Sequence, residues 1–143
     1  MSLAFVGAGN SQSMTTGARA GCVVVACATA LSGCTVQAGN QEVSAVAARF
    51  LSAAAAGERG AACALLTPRT RDDLAVADGP CEESLPVDQL GGSVTGADTW
   101  SDWARVSTGT GALFLTRFDT GWRVAAAGCQ SRGEAPYRCV VGG

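Results

Sequence analysis

Three patterns of apolar and polar positions succeed one another along the chain. The first is an apolar run from Gly21 to Leu31 with no charge in it. The second has a helical period. Val43, Val46, Ala47, Phe50, Leu51 and Ala54 recur at the spacing of one helix face, which predicts a helix over Gln41–Ala56. Asn40 is placed to cap it and Gly57 to end it. A second short helix is predicted over Gly60–Leu66, with Cys63, Leu65 and Leu66 inward. Thr67-Pro68 reads as an N-cap followed by proline at the first helical position, starting a further helix through Leu74. Cys81–Leu85 adds another helical turn, stopped by Pro86.

From Ser93 the period changes to that of short strands. Ser93–Trp100 and Trp103–Thr108 form one predicted hairpin about Ser101-Asp102. Ala112–Phe118 and Trp122–Cys129 form a second, turning at Asp119-Thr120-Gly121, where glycine can supply a positive φ. Tyr137–Val141 is a last short strand. Helices followed by antiparallel strands predict an α+β fold, with N-terminal helices packed on an antiparallel sheet.

Composition changes how the first pattern is read. Residues 1–33 carry Arg19 as their only charge. The remainder holds nine Arg against twelve carboxylates, a net charge of −3. So mild a charge gives no argument for nucleic-acid binding, which needs clustered positive charge. Every basic residue is Arg, a bias that points to a GC-rich genome such as an actinobacterium's. The chain has no His, which removes the usual general base and the commonest metal ligand. No cofactor or metal is implied.

An apolar run of about a dozen residues behind one positive charge has the layout of an export signal. A bilayer span needs roughly 20 residues. Leu31-Ser32-Gly33-Cys34 closes the run and resembles the bacterial lipobox: an apolar residue and two small ones, then a thiol that becomes the thioether to diacylglycerol. Residues 1–33 are therefore expected to be a signal and Cys34 the lipidation site, followed by a polar tether over 34–40 and a single domain over 41–143. The expected location is the extracytoplasmic face of the membrane, with membrane lipid as a partner through Cys34. Met14 opens a tidier signal, Met-Thr-Thr-Gly-Ala-Arg. If translation begins there, residues 1–13 are not made.

Export makes sense of the remaining cysteines. Cys63, Cys81, Cys129 and Cys139 are even in number, as disulfides require. Proximity favours Cys63–Cys81, tying two helical segments, and Cys129–Cys139, closing a C-terminal loop around Pro136-Tyr137. A zinc site lacks both a CxxC pair and any His.

Two stretches carry a family likeness. Phe50-Leu-Ser-Ala-Ala-Ala-Ala-Gly-Glu-Arg-Gly-Ala-Ala-Cys63-Ala-Leu-Leu-Thr67-Pro68 resembles the opening of the nuclear-transport-factor-two-like (ketosteroid-isomerase-like) superfamily. Leu113-Phe-Leu-Thr-Arg-Phe-Asp-Thr-Gly-Trp122-Arg-Val124 resembles its last hairpin. With Ala126-Ala-Gly-Cys129 and Pro136-Tyr-Arg-Cys139, the chain is also similar to small actinobacterial lipoproteins. The resemblance covers about residues 41–129 and implies a curved, cone-like sheet. That superfamily hosts isomerases, dehydratases, pocket binders and interaction modules. Its enzymes line the cone with an Asp–His pair or with Asp and Tyr groups. Here His is absent and Tyr137 falls in the C-terminal loop, so no catalytic residue carries over.

Candidate chemistry is correspondingly thin. Asp72-Asp73 beside Arg69 and Arg71 reads as a solvated helix face rather than a general base, and Glu82-Glu83 likewise. Arg105, Arg117 and Arg123 read as the polar side of a half-exposed sheet rather than an anion-binding strip. Gly7-Ala-Gly9 lacks the strand–helix context of a phosphate loop. Trp100, Trp103 and Trp122, with Phe50 and Phe114, are candidates to line a pocket for a small hydrophobic molecule. The expected function is a non-enzymatic, membrane-tethered domain that binds a protein partner or ligand. The alternatives are a hydrophobic cone pocket and an isomerase-like or dehydratase-like enzyme.

Overall fold

The computed structural model describes residues 34–142. The signal expected over residues 1–33 lies outside them. Four helices precede five strands: α1 (Cys34–Ala55), α2 (Arg59–Leu65), α3 (Pro68–Asp78), α4 (Cys81–Ser84), then β1 (Val94–Trp100), β2 (Trp103–Thr108), β3 (Gly111–Phe118), β4 (Gly121–Arg132) and β5 (Ala135–Arg138). A 3-10 turn over Val87–Gln89 joins the two halves. The strands form one antiparallel sheet in the order β1-β2-β3-β4-β5. It is curved and does not close, so the fold is α+β and consistent with a cone-like shape. Among the described residues no helix is long and apolar enough to cross a membrane.

α1 begins at Cys34, earlier than the Asn40 cap predicts. Nothing in Thr35–Gly39 stops a helix, since the segment has no proline and one glycine. Residues 34–40, expected as a tether, are therefore helical. Asn40 lies inside the helix, and its Oδ1 accepts a hydrogen bond from Thr99 Oγ1 at 2.7 Å. A tertiary partner replaces the capping role. The helix runs antiparallel to β1: Asn40 meets the end of that strand, while Leu51 and Ala55 border Ser93 and Val94 at its start.

The apolar stripe of α1 is the floor of the core. Val43, Ala47 and Phe50 are fully buried, and Val46, Leu51 and Ala54 nearly so. They pack against Ala104 and Val106 of β2, Leu113 and Leu115 of β3, and Trp122, Val124 and Ala127 of β4. α2 adds Ala62 and Cys63, and Leu66 follows as a bridge to Val124. α3 starts where Thr67-Pro68 predicts. Thr67 Oγ1 accepts from the Thr70 N–H at 3.1 Å. The helix continues past Leu74 to Asp78 because Ala75-Val-Ala77 offers no break before Gly79.

β4 carries two irregularities. Leu115 pairs with Val124, Phe114 with Ala126 and Ala112 with Cys129, so β4 spends one extra residue at each step. Such bulges bend and twist a strand. They also change which side each residue faces: Val124 and Ala127 point into the core, while Ala126 and Cys129 join Phe114 and Ala112 on the outer side. Gly128, at φ +65°, makes the second bulge possible. A Cβ there would lie 2.8 Å from Val140 Cγ2.

Among the described residues two disulfides are present. Cys63–Cys81 joins α2 to α4, and Cys129–Cys139 closes the β4–β5 hairpin. The Pro136-Tyr137 segment is thus a strand, displaced from the predicted Tyr137–Val141, and Val141 instead bridges Ala127. The first bridge spans 18 residues and pins two short helices with little core of their own. Replacing Cys63 and Cys81 together by alanine is expected to cost about 3 kcal/mol. The urea midpoint of the purified domain reads this directly.

Candidate functional site

The sheet buries one face against α1 and leaves the other partly open. Neighbours across the strands settle which residues share that outer face. Trp103 pairs with Thr116, Arg105 with Phe114, and Asp98 with Arg105. Side chains alternate along a strand, so Trp103, Arg105, Phe114, Thr116 and Phe118 stand together on the outer side. Ala126 joins them through the first bulge.

An open cleft of about 780 Å³ lies over this face. Phe114, Ala126 and Thr116 form its floor, with Trp103 and Phe118 towards the β1–β2 end. One wall is the start of α3, and the opposite end is closed by the β4–β5 hairpin through Pro136, Tyr137 and Cys139. Tyr137 meets Phe114 edge-to-face, with ring centres 5.0 Å apart and planes at 75°. The Cys129–Cys139 bridge fixes that hairpin, and so holds Tyr137 over the floor.

The α3 wall is pinned by its threonines. The Thr67 N–H donates to the Val124 carbonyl at 2.9 Å. Thr70 Oγ1 donates to the Ala125 carbonyl at 2.8 Å, satisfying backbone that the first bulge takes out of the ladder. Both threonines are buried.

The charges at the cleft are few and solvated. Among the described residues, Asp73 is the one carboxylate on its lining. Its side chain is 69% exposed and stands 3.8 Å from Arg69, itself 91% exposed. Neither Asp72 nor Asp73 is desolvated, and a surface pair of this kind is weak. Arg105 bonds Asp98 across β1 and β2 at 2.8 Å. That hydrogen bond, and after it the neighbouring Tyr137 side chain, holds the guanidinium above its ordinary pKa. Arg117 stacks 4.7 Å over the Trp122 ring, and Arg123 donates to the Ala64 carbonyl. The three arginines thus serve three separate contacts and form no common strip.

Of the five aromatic residues singled out as pocket lining, Trp103 and Phe114 border the cleft. Trp100 is the cross-strand neighbour of Trp103 and is half exposed. Phe50 is fully buried and Trp122 is 3% exposed, both within the core beneath α1. The indole N–H of Trp122 has no hydrogen-bond partner among the described residues. Pro68, Phe118 and Tyr137 also line it, outside the set that the sequence pattern points to. The signal was available for Phe118, two residues beyond Thr116 on the same strand. It was absent for Pro68 and Tyr137, which reach the cleft through tertiary packing. Comparison of the chain with protein-family models, curated proteins and solved structures finds no match.

Proposed function

We propose that this chain is an exported lipoprotein, held at the extracytoplasmic face of the membrane by lipid on Cys34, whose domain binds a small apolar molecule in the outer-face cleft without reacting it. The observation that carries the binding role is the cleft itself. Its size falls in the range of small-molecule sites, and its lining is mostly apolar with a few polar groups at the rim. Four aromatic rings, Trp103, Phe114, Phe118 and Tyr137, line it. A fixed general base is not among the lining residues, because Asp73 sits in water beside Arg69. Support for export comes from the signal-like segment and from two disulfides, which persist in oxidising compartments. The resemblance to the nuclear-transport-factor-two-like superfamily belongs to the same proposal. It is supported by the element order and the curved sheet, although the space under α1 that a cone would leave open is filled by Phe50, Leu115 and Trp122.

The experiment is direct. Protein recovered from its own membrane is extracted with solvent and the extract weighed by mass spectrometry, while binding of anilinonaphthalene sulfonate is titrated by fluorescence. The wild type is expected to retain an apolar compound and to bind the probe saturably. Replacing Trp103 or Phe114 with alanine should weaken probe binding roughly 10-fold or more, the effect of removing a central aromatic anchor. An empty extract together with non-saturable probe binding would sink the cleft reading. Turnover of the retained compound that vanishes in Asp73→Asn would instead establish an enzyme.

A further inference from the structure

The lipidation site and the most exposed aromatic residues lie at the same end of the domain. Asn40 of α1 is hydrogen-bonded to Thr99, the residue before Trp100. α1 runs antiparallel to β1, so its first turns project past the β1–β2 turn. Cys34 lies six residues before Asn40, about 9 Å further along the helix axis. The apolar segment Gly21–Leu31 precedes it in the chain. At that same end stand Trp100 and Trp103, each 50% exposed, and Phe118, 41% exposed. Strand pairing puts all three on the outer face of the sheet, beside the β1–β2 and β3–β4 turns.

Exposed apolar surface of this kind is costly in water and marks a surface that meets something else. Tryptophan is the residue favoured where one side is hydrocarbon and the other is wet. Cations border the patch: Arg71 and Arg123 flank Phe118 and Thr120 in a small cleft. Asp102 and Asp119 sit in the two turns. The border therefore carries both signs, and the aromatic rings rather than net charge would make the contact.

We infer that this end of the domain docks on the bilayer surface, with Trp100, Trp103 and Phe118 entering the headgroup region around the lipid on Cys34. The inference rests on the anchor proposed above. It adds an orientation: a second, non-covalent contact that stops the domain from swinging on its lipid. Because Trp103 and Phe118 also border the cleft, docking sets one end of the cleft at the membrane surface, where an apolar ligand can pass without crossing water.

The test uses the lipid-bearing protein reconstituted into phosphatidylethanolamine–phosphatidylglycerol vesicles whose acyl chains are brominated. Bromine should quench the wild-type tryptophan emission. The double variant Trp100→Phe/Trp103→Phe keeps Trp122, which the core shields, so the quenched part should disappear while the remaining emission persists. Retention of both disulfides on a non-reducing peptide map shows that this variant has folded. Protein that floats with the vesicles, yet whose emission is untouched by bromine and fully open to aqueous iodide, overturns the docking and leaves the anchor standing; the patch would then face a protein partner. A chain that does not float at all overturns the anchor and the docking together.

Discussion

Replacing Phe50 with alanine is expected to cost about 3–5 kcal/mol. A domain of this size has about 5–15 kcal/mol in total, so one such loss removes much of its stability. The magnitude follows from position. Phe50 is fully buried at the middle of the α1 stripe, and the core about it is drawn from α1, α2 and strands β2 to β4. Few of these neighbours can move to refill the space. Leu115 and Val124 are held in the sheet ladder, and Ala47 and Ala54 are too small to spread. The matched control is Phe118→Ala, which removes the same side chain from a 41% exposed site and is expected to cost less than about 1 kcal/mol. Urea denaturation of both variants decides the matter. If Phe50→Ala costs no more than Phe118→Ala, the packing of α1 on the sheet is wrong.

Phe50 also shows what could be read from sequence and what could not. The period of its stripe identifies the helix and its buried face, and the same periodicity places Phe50 in the core rather than on a pocket wall. Residue type and alternation were enough to place β2 and the two hairpin turns. They could not place the tryptophans relative to each other. Trp103 lies opposite Thr116 and Trp122 opposite Arg117. One residue of register therefore sends the two rings to opposite faces of the sheet. Only the pairing of β2, β3 and β4 reveals this.

The end of β4 was obscure for a related reason. Ala125-Ala-Ala-Gly128 has no alternation to mark the bulges, although these carry the strand on to Arg132 and turn Ala126 and Cys129 outward. The cleft depends on them. Sequence reasoning supplied two of its aromatic residues but not its location. Asn40 shows the same limit at the other end of the chain. Its preference for a helix cap is worth about 1 kcal/mol, and a tertiary hydrogen bond to Thr99 replaced it.

Replacing Cys34 with alanine is expected to have the largest effect on where the protein is found. Growth with labelled palmitate should label the wild type and leave Cys34→Ala unlabelled. Cell fractionation should move the variant from the membrane pellet to the soluble extracytoplasmic fraction. The size of the effect follows from chain chemistry. Each buried methylene contributes about 0.8 kcal/mol, and two acyl chains give lasting attachment where one gives only reversible binding. The surface contact through Trp100, Trp103 and Phe118 cannot replace that, since it rests on three side chains that are still half in water. Two results separate the possibilities. An unlabelled wild type would remove Cys34 as a lipid site. A variant that loses its label yet stays fully with the membrane would mean that residues 21–31 are retained and hold it there, with the domain still at the same end of α1.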